Sequence, residues 1–445
     1  MKIDPELLEH VEEELDRYHE RFGQFFGRSE PRIQSRKYLQ GLLAAPDRRN
    51  GWELAETVGD AVPDPTQRLL YRSNWDVDGV RDTHIRFVAE VIGTRDGIFK
   101  MDETGFLKSG NCSAGVQRQY TGTAGKITNC QVGVFLGYGS GNGDMLLDGR
   151  LYMPKCWCDD PKRRKKAQIP ETLTFATKPM QGLEMLKHAV ADLKVPGRWV
   201  VGDEVYGNPE YFRKGVADLH LTYVLAVKST TLVGKLVASE SRGRPTFSFW
   251  PSDQPLDVIT IARNLPSRYW KRIDTSAGER GPIRYNWGLV RIVLPEGEEG
   301  WLLIRQSIHD PEDMAFYLSN AGTKVSIKTL ARVALSRFGV EQCFAEAKTE
   351  AGLDEYECRL WPAWYRHMTL AIMAHAFLVA TKKTLHQTDL REYIARARCR
   401  PFCSAAPSRH RKGLLLHGMG HLQNPKASHG LEKSVQGPLL PGATT

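Results

Sequence analysis

This chain of 445 residues contains no run of eighteen uncharged apolar residues. Its longest greasy segment, Met368 to Ala380, is too short for a helix crossing a hydrocarbon layer of roughly 30 Å, so no membrane span is expected. Cysteine is sparse as well. The eight present (Cys112, Cys130, Cys156, Cys158, Cys343, Cys358, Cys399 and Cys403) are scattered, and none forms a CxxC pair. That argues against a disulfide framework and against zinc sites of the common kinds. The opening stretch turns acidic at Asp4 and Glu6, where a secretory leader needs an apolar segment, so a cytoplasmic location is the expectation.

What is present fits a multidomain globular protein. The length allows about three domains at roughly 150 residues each, and 41% of the residues are hydrophobic and 25% charged. Lys and Arg exceed Asp and Glu by 61 − 52 = 9. A basic excess of this size favours a polyanionic partner.

Residues 1–95 read as helices. Leu7, Leu8, Val11, Leu15, Tyr18 and Phe22 recur at three- and four-residue steps behind Asp4 and Pro5, and a second helix follows Pro31 with Arg32, Arg36 and Lys37 on its flank. Three more helices are expected at 52–58, 66–71 and 77–92. A helical head of this size suits DNA binding; a packing or dimerisation domain is the plainer alternative. Near Asp96 the period changes to alternation. Strands are expected at 97–102, 131–136 and 145–153, followed by a helix at 182–193, a nearly all-apolar strand from Trp199 to Asp203, a helix to Leu219 and a strand from Leu221 to Val227. Three meander strands, then helix, strand, helix and strand, is the order of an α/β fold of the ribonuclease-H-like kind, a mixed sheet flanked by helices. From 232 to 322 the pieces 258–262, 288–293 and 301–304 predict a β-rich insertion. The core resumes at 323–385 with one helix from Ile327 to about Glu350 and another from Ala363 to Lys382, and 386–445 reads as a basic, loosely ordered tail.

Three carboxylates stand out by position. Asp102 ends the first expected strand, Asp203 ends the buried fourth, and Glu341 lies in the middle of the helix after the insertion. A carboxylate at the end of an apolar strand is costly unless it is paired, hydrogen-bonded or bound to a metal. In the expected fold the first and fourth strands are neighbours, so the two aspartates meet and a helix brings the third acid across them. Oxygen ligands of this kind suit two Mg²⁺ ions, with Mn²⁺ able to substitute, in phosphoryl transfer. Glu103 and Glu204 adjoin the aspartates, and alternation points them to the opposite face. At about 100° per residue, Arg337, Glu341, Phe344 and Lys348 share one helical face, so two cations flank the glutamate and stand ready to grip phosphates.

Several blocks, occurring in order, resemble bacterial insertion-sequence transposases of the DDE class. They are residues 67–76 (QRLLYRSNWD), 101–110 (MDETGFLKSG), 115–125 (GVQRQYTGTAG), 202–207 (GDEVYG), 340–344 (VEQCF) with Lys348, 352–359 (GLDEYECR) and 364–370 (WYRHMTL). The resemblance implies a ribonuclease-H-like core interrupted by a β-domain, with Asp102, Asp203 and Glu341 as the catalytic, metal-binding triad. It also implies that Arg337, four residues before the glutamate, and Lys348, seven after it, contact DNA, as Arg118 is expected to do. Ala334 stands where the related signature has tyrosine, so steps assigned to that tyrosine, such as handling a hairpinned end, do not carry over. The implied activity is binding of terminal inverted repeats by a dimer, hydrolysis to a 3′-hydroxyl and attack of that hydroxyl on target DNA, in an enzyme associated with the nucleoid. A metal-dependent nuclease without strand transfer and an inactive DNA-binding regulator stay open as alternatives.

Other motifs carry less. Residues 122–128 (GTAGKIT) have the flavour of a phosphate loop, but Tyr120 and Ile127 occupy positions that need Gly and Ser or Thr. The run 162–166 (KRRKK) is expected in a loop as a DNA-backbone contact. Cys399, Cys403, His410, His417 and His421 match no common zinc spacing. Trp270, Arg280, Arg284, Tyr285 and Trp287 fit stacking on an unpaired nucleotide or plain β-core packing equally well.

Overall fold

The computed structural model describes residues 5–44, 46, 48–234, 254–278 and 281–384. The tail at 386–445, with its cysteines and histidines, and Arg280 lie outside the described residues.

Five helices come first: α1 (Pro5–Glu20), α2 (Ser29–Leu43), α3 (Gly51–Thr57), α4 (Asp64–Tyr71) and α5 (Val77–Ile92). Caps mark their starts where sequence supplies them. Asn50 accepts hydrogen bonds from the backbone of Trp52 and Glu53 ahead of α3, and Asp76 accepts from Gly79 ahead of α5. A β-meander follows, β1 (Ile98–Leu107), β2 (Gln117–Thr121), β3 (Lys126–Ser140) and β4 (Gly143–Leu151), then the short helices α6 (Lys155–Cys158) and α7 (Pro161–Lys166) and the longer α8 (Lys178–Lys187). Next come β5 (Trp199–Gly202), α9 (Glu204–Gly207), α10 (Glu210–Asp218) and β6 (Thr222–Val227). The β-rich stretch supplies β7 (Leu232–Val233), β8 (Leu256–Asp257), α11 (Val258–Arg263), β9 (Trp270–Gly278), β10 (Gly281–Val293), β11 (Glu299–Ser307) and β12 (Met314–Ser319). The chain closes on α12 (Ile327–Leu335), α13 (Phe338–Ala351) and α14 (Trp361–Thr384).

Ten strands share one mixed sheet, ordered β2-β3-β1-β5-β6-β12-β11-β10-β9 with β4 also on β3. The β-rich stretch therefore does not stand apart from it. β12 pairs antiparallel with β6, Phe316 opposite Val227, so β9 to β12 continue the same sheet. Strands β1 and β5 run parallel, Met101 opposite Gly202. The two faces of β1 serve different layers. Ile98 belongs to a core cluster with Val333 and Ala334 of α12, and the even positions that follow face α13. The odd positions face α8, where a methyl group on Gly182 would lie 3.2 Å from Met101 Sδ.

Four local expectations need correction. β1 does not end at Asp102 but continues to Leu107, because antiparallel pairing with β3 extends to Leu107 opposite Cys130. The single helix expected from Ile327 to Glu350 is two. Ser336 turns its hydroxyl back onto the Val333 carbonyl at 2.6 Å and the chain re-starts at Phe338, so Glu341 sits in the first turn of α13 rather than mid-helix. Residues 258–262, expected as strand, form α11 because Asp257 caps it through Thr260 and the apolar residues Val258, Ile261 and Ala262 fall at helical spacing on its buried side. The basic run 162–166 forms α7, capped by Asp160. Within it Arg163 lies over the Trp157 ring at 3.6 Å and Arg164 binds the carbonyls of Glu171 and Leu173. Only Lys162, Lys165 and Lys166 of that run are exposed.

One buried ion pair ties the β-rich stretch to the core. Arg213 of α10 and Glu296 of the β10–β11 turn are 2% and 4% exposed and meet at 2.8 Å. Arg213 also donates to the carbonyls of Gly207 and Asn208, and the Tyr223 hydroxyl donates to Glu296. Removing one member strands the other charge in the interior, so Glu296→Ala is expected to cost about 3–5 kcal/mol. Urea denaturation at neutral pH measures it, and a loss below about 1 kcal/mol would contradict this account.

Candidate active site

Parallel register between β1 and β5 sets Asp102 beside Asp203, each one residue beyond the paired Met101 and Gly202. Asp203 is also the N-cap of α9, where its Oδ1 accepts from the Val205 N–H at 2.9 Å. Asp102 is 9% exposed, and its Oδ1 accepts from the Glu103 N–H at 2.8 Å. Its other oxygen accepts from Arg337 Nη1 at 2.8 Å, while Nη2 of the same guanidinium donates to Glu341 Oε1 at 2.8 Å. One arginine thus links an acid on the sheet to an acid on α13. Glu341 lies where the positive end of the helix dipole favours an anion.

The electrostatics are those of a crowded acidic site. Burial pushes the Asp102 carboxyl up to about 7, the Arg337 guanidinium opposes that rise, and Asp203 and Glu103 add to it. Asp203 is also raised, by burial first and by Glu103 second. Buried acids with too little compensating charge are a binding environment for a cation. The oxygen donors match a divalent hard ion in chemistry. Their arrangement is incomplete, because among the described residues no group of three or more His, Cys, Asp or Glu side chains stands ready to hold a metal. The expected direct convergence of Asp102, Asp203 and Glu341 is thus replaced by a guanidinium between two of them.

Lys348 reaches the same face of β1, donating to Thr104 Oγ1 at 2.8 Å, and burial lowers its pKa. Arg118 is exposed in β2 opposite Asn129, with no hydrogen bond or ion pair joining it to the carboxylates. Glu103 turns to the α8 side, accepting from Lys178 at 2.5 Å and from the Tyr206 hydroxyl at 3.2 Å. Glu204 is exposed. Ala334 is 4% exposed within the α12 cluster, packed where a tyrosine ring would need more room. Trp287 is fully buried, which assigns it to β-core packing.

Sequence patterning missed the support beneath α13. Lys100, two residues before Asp102 on the same face, is 3% exposed and ion-paired with Asp144 of β4. A methyl group on Gly339 would fall 2.4 Å from Lys100 Nζ and 2.5 Å from Asp144 Oδ2. Glycine there lets the first turn of α13 settle on this pair, and that settling sets the height of Glu341 above the sheet. The sequence signal, a lysine among the apolar residues that open β1, was present but pointed to no partner.

Comparisons with known proteins identify the family. The family described as DDE superfamily endonuclease matches residues 21–282, a span that includes Asp102 and Asp203 and stops before Glu341. A probable transposase for insertion sequence element IS701 from Microchaete diplosiphon is 23% identical over 329 residues, 73% of this chain and 77% of that one. The NurA nuclease from Sulfolobus solfataricus overlaps 62% of this chain and 93% of that chain at 12% identity, with a TM-score of 0.23, too low to bear on the fold.

Proposed function

This chain belongs to the DDE superfamily of endonucleases, and from that premise we propose that it is a DNA transposase that binds the terminal inverted repeats of its own element, cuts at them and joins the freed 3′-hydroxyl to target DNA. The observation that carries this reading is the pairing of Asp102 with Asp203 on adjacent parallel strands, with Arg337 linking Asp102 to Glu341. The order β3-β1-β5-β6, antiparallel and then parallel, supports a ribonuclease-H-like core.

Asp102, Asp203 and Glu341 would hold two divalent ions, Mg²⁺ or in its place Mn²⁺, which supply charge to the attacking and leaving oxygens of an in-line displacement. The residues of the chain do the rest. Arg337 trades a carboxylate for a DNA phosphate when substrate arrives, since its fork of donors suits either oxyanion. Lys348 and Arg118 orient phosphates further along the strand. The helical head contributes end binding through a local basic patch. A groove of about 610 Å³ beside α1 and α2 is lined by Arg28, Arg32, Arg36 and Lys37, and the first three recur every four residues along one face. A homodimer would synapse the two ends within the nucleoid.

The test is direct. Purified protein is incubated with labelled element ends and Mg²⁺, the nicks are mapped to single nucleotides, and a precut end is then offered target DNA. Nicking at the end followed by joining is the expected result. Cutting without joining would make this a nuclease of the same fold, and salt-dependent end binding with no nicking would make it a regulator.

A further inference from the structure

The hairpin of β2 and β3 carries a surface that the carboxylate site does not use. Tyr120 and Ile127 stand directly opposite one another across it and are 64% and 61% exposed, Tyr120 being the most exposed large apolar side chain among the described residues. Residues directly opposite share a face, and so do alternate residues of a strand. Arg118, opposite Asn129, therefore lies on the same side as Tyr120 and Ile127. Residues 116–129 include Arg118 and Lys126 and no Asp or Glu, and both cations are exposed.

This hairpin does not project away from the site. Thr123 Oγ1 donates to the Gly105 carbonyl at 3.1 Å, and a methyl group on Gly105 would fall 1.8 Å from Thr121 Oγ1. Only glycine at 105 allows that approach. Gly105 lies three residues beyond Asp102 on β1, roughly 10 Å away at about 3.3 Å per residue. An exposed aromatic ring beside an aliphatic side chain and a guanidinium, in a segment without negative charge and held beside an acidic catalytic centre, is the chemistry of a nucleotide seat. The base stacks on the ring and the phosphate meets the cation.

We propose that Tyr120, Ile127 and Arg118 seat an unpaired nucleotide of the substrate strand next to the cleavage site, Tyr120 stacking on its base and Arg118 holding its phosphate. This rests on the reading of the chain as a DNA-cutting enzyme. It adds a single-stranded element to the substrate, because a base inside an intact duplex offers no free face to a side chain.

The test measures binding without metal. The probes are a blunt duplex and the same duplex with a 3′ single-stranded overhang carrying 2-aminopurine, followed by fluorescence anisotropy and by quenching of the 2-aminopurine. Wild-type protein is expected to bind the overhang about tenfold tighter than the blunt end, with quenching. Tyr120→Ala should lose both the preference and the quenching, and Tyr120→Phe should keep both. Arg118→Gln should weaken binding and flatten the salt dependence by about one charge. Tyr120→Ala that keeps the preference, or wild-type protein that binds both probes equally, overturns this inference alone. Wild-type protein that binds neither overturns it together with the reading of the site.

Discussion

Exchanging Asp203 for Asn is expected to slow metal-dependent strand cleavage about a thousandfold or more while leaving end binding within about twofold of wild type. The separation follows from the two jobs of that side chain. Its Oδ1 caps α9 through the Val205 N–H, and asparagine caps a helix about as well as aspartate does. The backbone around Gly202 therefore keeps its place. What disappears is one negative charge from the pair on β1 and β5, and a carboxylate that would help hold a divalent ion there would be worth several kcal/mol of barrier, with each 1.36 kcal/mol a factor of ten in rate. On the proposed reading, binding draws on arginines elsewhere and should be untouched or slightly improved by the lost repulsion. Single-turnover nicking of a labelled end, run beside an anisotropy titration of the same DNA, separates the two quantities. Cleavage within tenfold of wild type would remove Asp203 from the chemistry.

Asp102 has its largest expected effect on stability, through pH. Its carboxyl ionises near 7 in the folded chain, against an ordinary value of 3.8, burial being the main cause. The folded state thus holds the proton more tightly than the unfolded state. Stability from this group is complete below about pH 4 and falls as pH rises through 7. By linkage, about three pKa units correspond to about 4 kcal/mol lost between pH 4 and pH 8. Asparagine cannot ionise, so Asp102→Asn should flatten that part of the profile and be the more stable protein at pH 8, at the cost of activity. Urea denaturation of both proteins at several pH values measures it. Parallel profiles would show that the Asp102 carboxyl is not strained by its surroundings.

The chemistry was more legible in the sequence than its setting. Asp102 and Asp203 announced themselves because each follows a mostly apolar run in which an acid is out of place. The four- and seven-residue intervals around Glu341 put Arg337 and Lys348 toward the same strand, where they reach Asp102 and Thr104. What stayed hidden depended on distant partners. Glu296 lies 83 residues from Arg213, and a glutamate in a turn gives no sign that it is buried. Lys100 gains its meaning from Asp144 and Gly339, which local periodicity does not relate to it. The break at Ser336 and Arg337 was invisible for a different reason: the apolar period continues across it, while one serine hydroxyl decides where the first helix stops. At 258–262 β-branched side chains argued for strand, and the cap at Asp257 outweighed them.

The continuity of the sheet through β6 and β12 has a practical consequence. Residues 232–322 look like a module that protein engineers would trim to obtain a minimal enzyme. Trimming them would strip β6 of its outer neighbour and bare a row of backbone donors and acceptors beside a largely apolar strand. An open edge of that kind recruits strands from other molecules. The shortened protein would be expected to aggregate during expression rather than survive as a smaller catalyst.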